Sequence, residues 1–161
     1  MPKTILHNHK STQNWPKALS LRAPCANDAQ LFYDLVNETL FEYIVATWGR
    51  WNEELTRQNA QAFTANPHAR VICLNDIDVG IIACHINSTE IFVQDIYLFA
   101  AHQQNGWARC VINALQNDAR RLNLPIRLGV LKVNPAIGFY TRQGFALERA
   151  DAQYFYLIWR A

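Results

Sequence analysis

The stretch Ile96-Tyr97-Leu98-Phe99-Ala100-Ala101-His102-Gln103-Gln104-Asn105-Gly106-Trp107-Ala108-Arg109 carries the chain from a strand into a helix. Its first four residues are apolar and close a β-type run that begins at Ile91. Its last four open an amphipathic run, Gly106 to Leu122, with Val111, Ile112, Leu115 and Leu122 on one stripe. The amides of a helix's first turn have no acceptor within the helix, and the helix dipole favours negative charge there. A pyrophosphate is a natural ligand for such a place if the backbone can approach it closely. Gly106 and Ala108, with little or no side chain, allow that approach. Taken alone, the loop also reads as a glycine that merely turns the chain. No Gly-Lys-Ser/Thr follows it, which excludes a Walker loop, and the three-glycine spacing of a dinucleotide fingerprint is missing.

Working outward, the segments alternate in period. Leu19 to Arg22 reads as a short first strand. Asn27-Asp28 opens a helix whose stripe runs through Leu31, Phe32, Leu35, Val36, Leu40, Tyr43 and Ile44 until Gly49 interrupts it. Asn52 caps a second helix, expected to turn Leu55, Ala62 and Phe63 inward, and Asn66-Pro67 ends it. Arg70 to Leu74, Val79 to Ile86 and Ile91 to Phe99 form three strands joined by tight turns at Asn75-Asp76 and Asn87-Ser88, an antiparallel meander. Pro125 stops the long helix. Ile126 to Val133 reads as a strand, Pro135 to Arg142 as a short helix, and Phe145 to Leu147 and Tyr154 to Trp159 as two closing strands.

Bulk properties bound the rest. A chain of 161 residues, half of them apolar and 12% aromatic, suits one folded domain. Residues 1–18 read as a loose arm and 19–161 as that domain; His7 and His9 in the arm read as solvated rather than metal-bound. A net charge of +2 gives no support to nucleic acid or an anionic membrane as partner. With neither an apolar run of membrane-spanning length nor a signal-peptide pattern, the expected address is the cytoplasm. Cys25, Cys73, Cys84 and Cys110 show no CxxC spacing, and reduced, mostly buried thiols are expected.

Two blocks carry a family resemblance. Gln103-x-x-Gly106-x-Ala108 resembles the Gln/Arg-x-x-Gly-x-Gly/Ala signature of the GNAT N-acetyltransferase superfamily, placed after a strand and at a helix start. About thirty residues on, Asn134-Pro135-Ala136-Ile137-Gly138-Phe139-Tyr140-Thr141-Arg142-Gln143-Gly144-Phe145 is similar to that family's N-x-x-A-x-x-F-Y-x-x-x-G-F stretch, shifted by one residue at the alanine. The order of elements from Leu19 to Trp159 fits as well. The run Thr47 to Glu54 is similar to a stretch in bacterial GNAT proteins and names no acceptor. Two departures stand out: Asn105 where a basic residue often precedes the glycine, and the bulky Trp107, read as a helix-packing residue.

The resemblance implies a three-layer α+β fold. Its mixed, mostly antiparallel sheet has splayed fourth and fifth strands and helices on both faces. It implies acetyl-CoA as co-substrate, with no metal. The backbone of Ile96, Tyr97 and Leu98 would pair with the pantetheine arm, as an added strand does. The loop Gln103, Gln104, Asn105, Gly106, Trp107, Ala108 and Arg109 would meet the pyrophosphate. Asn134 would face the arm from the fifth-strand side, with Gly129 leaving space beside the splay or serving as a plain strand glycine. Tyr140 would protonate the leaving thiolate. The expected reaction is transfer to a small-molecule primary amine by direct attack in a ternary complex. Acetylation of a protein amino terminus or lysine is the alternative, and so is a non-catalytic acyl-CoA sensor. A homodimer stays open.

Only a neutral amine attacks a thioester, so the acceptor side needs a proton acceptor. Asp95 is the leading candidate, and a structural ion pair is its other reading. Glu90, His85, Glu38 and Glu42 are further candidates. Glu38 and Glu42 share a helix face that would edge the acceptor cleft or, as the more ordinary reading, simply face solvent. Trp48 and Tyr43 would wall it or belong to the core.

Overall fold

The computed structural model describes Ile5, Leu6 and residues 15–161; His7 and His9 lie outside them. Seven strands form one sheet: β1 (Leu19–Arg22), β2 (Arg70–Leu74), β3 (Ile77–Ile86), β4 (Ile91–Leu98), β5 (Ile126–Leu131), β6 (Ala146–Ala150) and β7 (Tyr154–Trp159). Their order across the sheet is β1-β2-β3-β4-β5-β7-β6. All neighbours are antiparallel except β4 and β5, which are parallel. Helices α1 (Asp28–Trp48) and α2 (Glu53–Ala65) cover one face, and α3 (Trp107–Leu122) and α4 (Ile137–Arg142) the other.

The two faces bury separate apolar sets. Ile72, Ile82, Cys84, Ile91 and Val93 pack with Val111, Ile112 and Leu115 of α3. Val71, Cys73, Ile81 and Ala83 pack with Phe32, Leu35 and Val36 of α1 and Ala60 and Phe63 of α2. The sheet is thus buried on both sides, which explains why β2 and the middle of β3 read as continuous apolar runs rather than as alternations. Local chemistry sets the ends of the elements. The Asn52 side chain accepts a hydrogen bond from the Leu55 amide, Gly49 closes α1 at φ 74°, and Asn75 and Asp76 turn β2 into β3 with φ of 49° and 66°.

Several expectations shift. The inward positions of α2 are Thr56, Ala60 and Phe63, whereas Leu55 and Ala62 are exposed, because tertiary packing selects a stripe that this mostly polar helix marks faintly. β5 ends at Leu131 rather than at Val133, and β6 starts at Ala146 and reaches Ala150. The arm is not loose where it is described. Ile5 and Leu6 are buried in the α3-side core, the Leu6 amide donates to Asp118 at 2.8 Å, and Trp15 donates to the Leu19 carbonyl at 2.6 Å. An apolar pair in a polar stretch finds a groove that composition cannot show. Cys73 and Cys84 are buried, Cys110 is half-buried and Cys25 is exposed, all free thiols.

Candidate active site

β4 and β5 pair through Ile91–Ile126, Phe92–Arg127 and Val93–Leu128, and no further. β4 stays paired with β3 up to Leu98, and β5 with β7 up to Leu131. The two strands therefore diverge from Gln94 and Gly129 onward. A cleft of about 1330 Å³ opens between them and runs from α1 and α2 across to α3 and α4.

A bulge sets what this cleft contains. Ala83 pairs with Asp95, but Cys84 pairs with Val93, so Gln94 is an extra residue in β4. The insertion re-phases the strand. Ile91 and Val93 face α3 before it; Ile96 and Leu98 face α3 after it. Asp95 and Tyr97 are thereby turned toward α1 and α2. Parity also assigns the backbone. The Phe99 amide donates to the Val79 carbonyl at 3.0 Å, which makes 97 and 81 a hydrogen-bonded pair two residues away. The polar groups of Tyr97 are committed to β3, a correction to the expectation that it pairs with the cofactor. Those of Ile96 and Leu98 face the open side, where the Gln103 side chain already holds the Leu98 carbonyl at 2.9 Å.

At the phosphate end, β4 passes through a short 3-10 turn, Ala100–His102, into the loop 103–106. Gln104 and Gly106 both take left-handed conformations, at φ 64° and 81°. The first helical bond of α3 runs from the Cys110 amide to the Gly106 carbonyl. The amides of Trp107, Ala108 and Arg109 therefore lead the helix without an acceptor four residues back. All residues from Gln103 to Arg109 line the cleft. Trp107 also packs on the α3-side core, as expected.

Asn134 and Tyr140 line the cleft from the far wall. The Asn134 side-chain oxygen accepts from the Ala136 amide and so fixes the turn into α4. Tyr140 is 8% exposed and packs edge-on against Phe139 and Phe145. Among the described residues its hydroxyl has no hydrogen-bond partner, and burial pushes its pKa well above the phenol range. A buried hydroxyl without a partner that borders a cleft is an unusual expense in a core, and it fits a ligand there.

On the α1 side, Tyr97 donates its hydroxyl to Asp95 at 2.9 Å. Burial pushes the Asp95 carboxyl up to about 6, against the opposing hydrogen bond from Tyr97 and the field of His85. Glu38 and Glu42 do not border this cleft. Thr39, Leu40, Tyr43, Ile44 and Trp48 line it, and the helical turn of 100° per residue carries positions 38 and 42 to another side of α1. Glu38 instead accepts a hydrogen bond from the Ala100 amide at 2.7 Å, tying α1 to the root of the phosphate loop. Glu90 also lies away, paired with Arg127 at 2.9 Å, and His85 is bonded to Gln94 at 2.5 Å without bordering the cleft. Trp48 does border it, with its ring 6.1 Å from Tyr154 of β7. The rings of Tyr154 and Tyr156 lie over Gly129, where an added Cβ would sit 3.4–3.6 Å from them.

One cleft thus holds an open strand edge, a helix start with free amides and, among the described residues, a phenol without a hydrogen-bond partner. The acetyltransferase (GNAT) family model matches residues 30–145, well over half of the chain, and the chain belongs to that family of acetyltransferases. Solved structures agree on the fold. PaiA N-acetyltransferase of Thermoplasma acidophilum, in complex with coenzyme A, is 14% identical with a TM-score of 0.72, over 89% of this chain and 99% of that one. Naa50 of Arabidopsis thaliana, in complex with the bisubstrate analogue CoA-Ac-MVNAL, is 22% identical with a TM-score of 0.63, over 88% and 97%. YncA of Salmonella typhimurium with acetyl-CoA is 17% identical with a TM-score of 0.62, over 89% and 94%. No curated protein matches the chain.

Proposed function

We propose that this chain transfers the acetyl group of acetyl-CoA to the primary amine of a small molecule by direct attack, with both substrates bound. The observation that carries this reading is the single cleft shared by the free amides of the 103–109 loop, Tyr140 and Asp95. Acetyl-CoA supplies an activated acyl group. The backbone of Ile96 and the Leu98 amide offer hydrogen bonds along the open strand edge. The amides of Trp107, Ala108 and Arg109 attract phosphate charge. The Tyr140 hydroxyl keeps its proton at neutral pH, and in this reading it gives that proton to the departing thiolate. Asp95 is ionised at neutral pH, yet basic enough to take a proton from an ammonium group. Tyr97 fixes the carboxylate through its hydroxyl. A protein that only sensed coenzyme A would need neither an acid nor a base in this cleft.

Melting with acetyl-CoA tests the donor half. At about 100 times the dissociation constant the fold should gain roughly 2.7 kcal/mol, a rise of about 5–10 °C. Gly106→Val, which forces a β-branched residue into a left-handed conformation, should abolish most of that rise. An unchanged melting temperature with millimolar acetyl-CoA would overturn the reading.

A further inference from the structure

The acceptor half of the cleft has an uneven charge inventory. Its α1 wall includes Phe32, Val36, Leu40 and Tyr43, α2 adds Leu55, Thr56 and Asn59, and among the described residues neither wall includes a carboxylate. Among the described residues, Asp95 is the one acid that lines the cleft. Against it stand three arginines: Arg109 and Arg142 on the α3 and α4 side, and Arg50 on the acceptor side, just past the end of α1. Arg50 is exposed and has no ion pair or hydrogen bond among the described residues.

We propose that the acceptor is an amine that also carries an anionic group, of the ω-amino-acid type, with its ammonium directed to Asp95 and its anion to Arg50. This rests on the transfer reading above and sharpens its substrate class. One ammonium group finds one carboxylate. A second cationic group on the same acceptor would find none, and it would meet the like charge of Arg50. A carboxylate in that place meets a planar guanidinium suited to a two-point contact. The apolar walls, with Trp48 and Tyr154 bridging at 6.1 Å, suit the methylene body between the two groups. The bond changes are those of the proposed reaction. The ammonium gives one proton to Asp95, the freed amine nitrogen forms the amide bond as the carbon–sulfur bond breaks, and the sulfur takes the proton of Tyr140; the second proton of the nitrogen restores Tyr140 through solvent, and Asp95 releases its own to solvent.

Matched acceptor series test this: n-alkylamines, ω-amino acids and α,ω-diamines of equal chain length, with acetyl-CoA and free thiol as readout. The expected order of kcat/KM is amino acid over alkylamine over diamine, with at least about tenfold between the first and the last at the best length. Arg50→Glu should reverse the order of amino acid and diamine, and Arg50→Gln should remove the difference. Diamines preferred by the unaltered chain, or an order untouched by Arg50→Glu, would overturn the proposal while leaving amine acetylation standing. Absence of turnover with all three series, in a protein that melts higher with acetyl-CoA, would overturn the transfer reading and this proposal together.

Discussion

The β4–β5 pair is closed at one end and open at the other, with few residues separating the two. At the closed end three register pairs join the strands, and Arg127 binds Glu90 at 2.9 Å and Glu148 at 2.8 Å. At the open end Gln94 is an extra residue, Gly129 has no side chain, and Asp95 stands desolvated beside Tyr97. The closed end spends its charges on one another. The open end keeps a carboxyl and a phenol poised at the cost of packing. Under the proposed function, stability and chemistry fall to different stretches of the same two strands.

The largest effect should come from the open end. Tyr140→Phe keeps the ring packing and removes the proton donor, so single-turnover acetylation should fall by about 10²–10⁴ while acetyl-CoA affinity stays nearly unchanged. Turnover within twofold of the unaltered chain would make Tyr140 a packing residue.

Asp95→Asn sharpens the contrast, because it should weaken chemistry and strengthen the fold at once. Turnover should drop by about 10²-fold, less than for Tyr140, since water can accept the amine's proton. The stability change has a definite sign. The folded pKa of Asp95 lies near 6, above its unfolded value, so the folded state holds the proton more tightly. Stability is full below the unfolded value near pH 4 and falls as the pH rises toward and through 6. Asn escapes this loss and should raise stability at pH 7 by on the order of 1–3 kcal/mol. Chemical denaturation at pH 4 and pH 7 measures both limbs. A variant less stable than the parent at both would mean that the carboxylate is a structural partner.

The smallest effect should come from the closed end. Arg127→Gln leaves Glu90 and Glu148 without their shared cation, and should cost about 1 kcal/mol, or about 2–4 °C in melting temperature. Turnover should not change. A loss of activity there would show that the two ends are coupled through the strands.

The site was legible where its chemistry is written in consecutive residues. Gln103 to Arg109 stood out because a helix start shows itself locally, and Asn134 and Tyr140 fall within one short block. Asp95 is singled out by its offset along β4, although nothing local marks Gln94 as a bulge. Tyr97 was expected to lend its backbone, and instead lends its hydroxyl. Glu38 and Glu42 do share a side of α1, yet the cleft lies on another side. Arg50 falls within the run Thr47 to Glu54, to which the family resemblance gives no role. An exposed arginine after a glycine has no local signature of a binding role.

What the sequence determined by itself is the order of the elements, their turns and the phosphate loop, since each follows from the conformational preferences of adjoining residues. Asn52 caps α2, Gly49 and Gly106 take positive φ, and a left-handed Asn123 ends α3 two residues before Pro125. The tertiary structure alone decided which face each residue serves. Gln94 becomes a bulge only because β3 offers one fewer partner, and that extra residue turns Asp95 toward α1. Trp48 reaches Tyr154 across more than a hundred residues because α1 and β7 are packed around the same opening. Register and helical phase are relations between segments, so they are fixed by burial of the whole sheet rather than by any one stretch of chain.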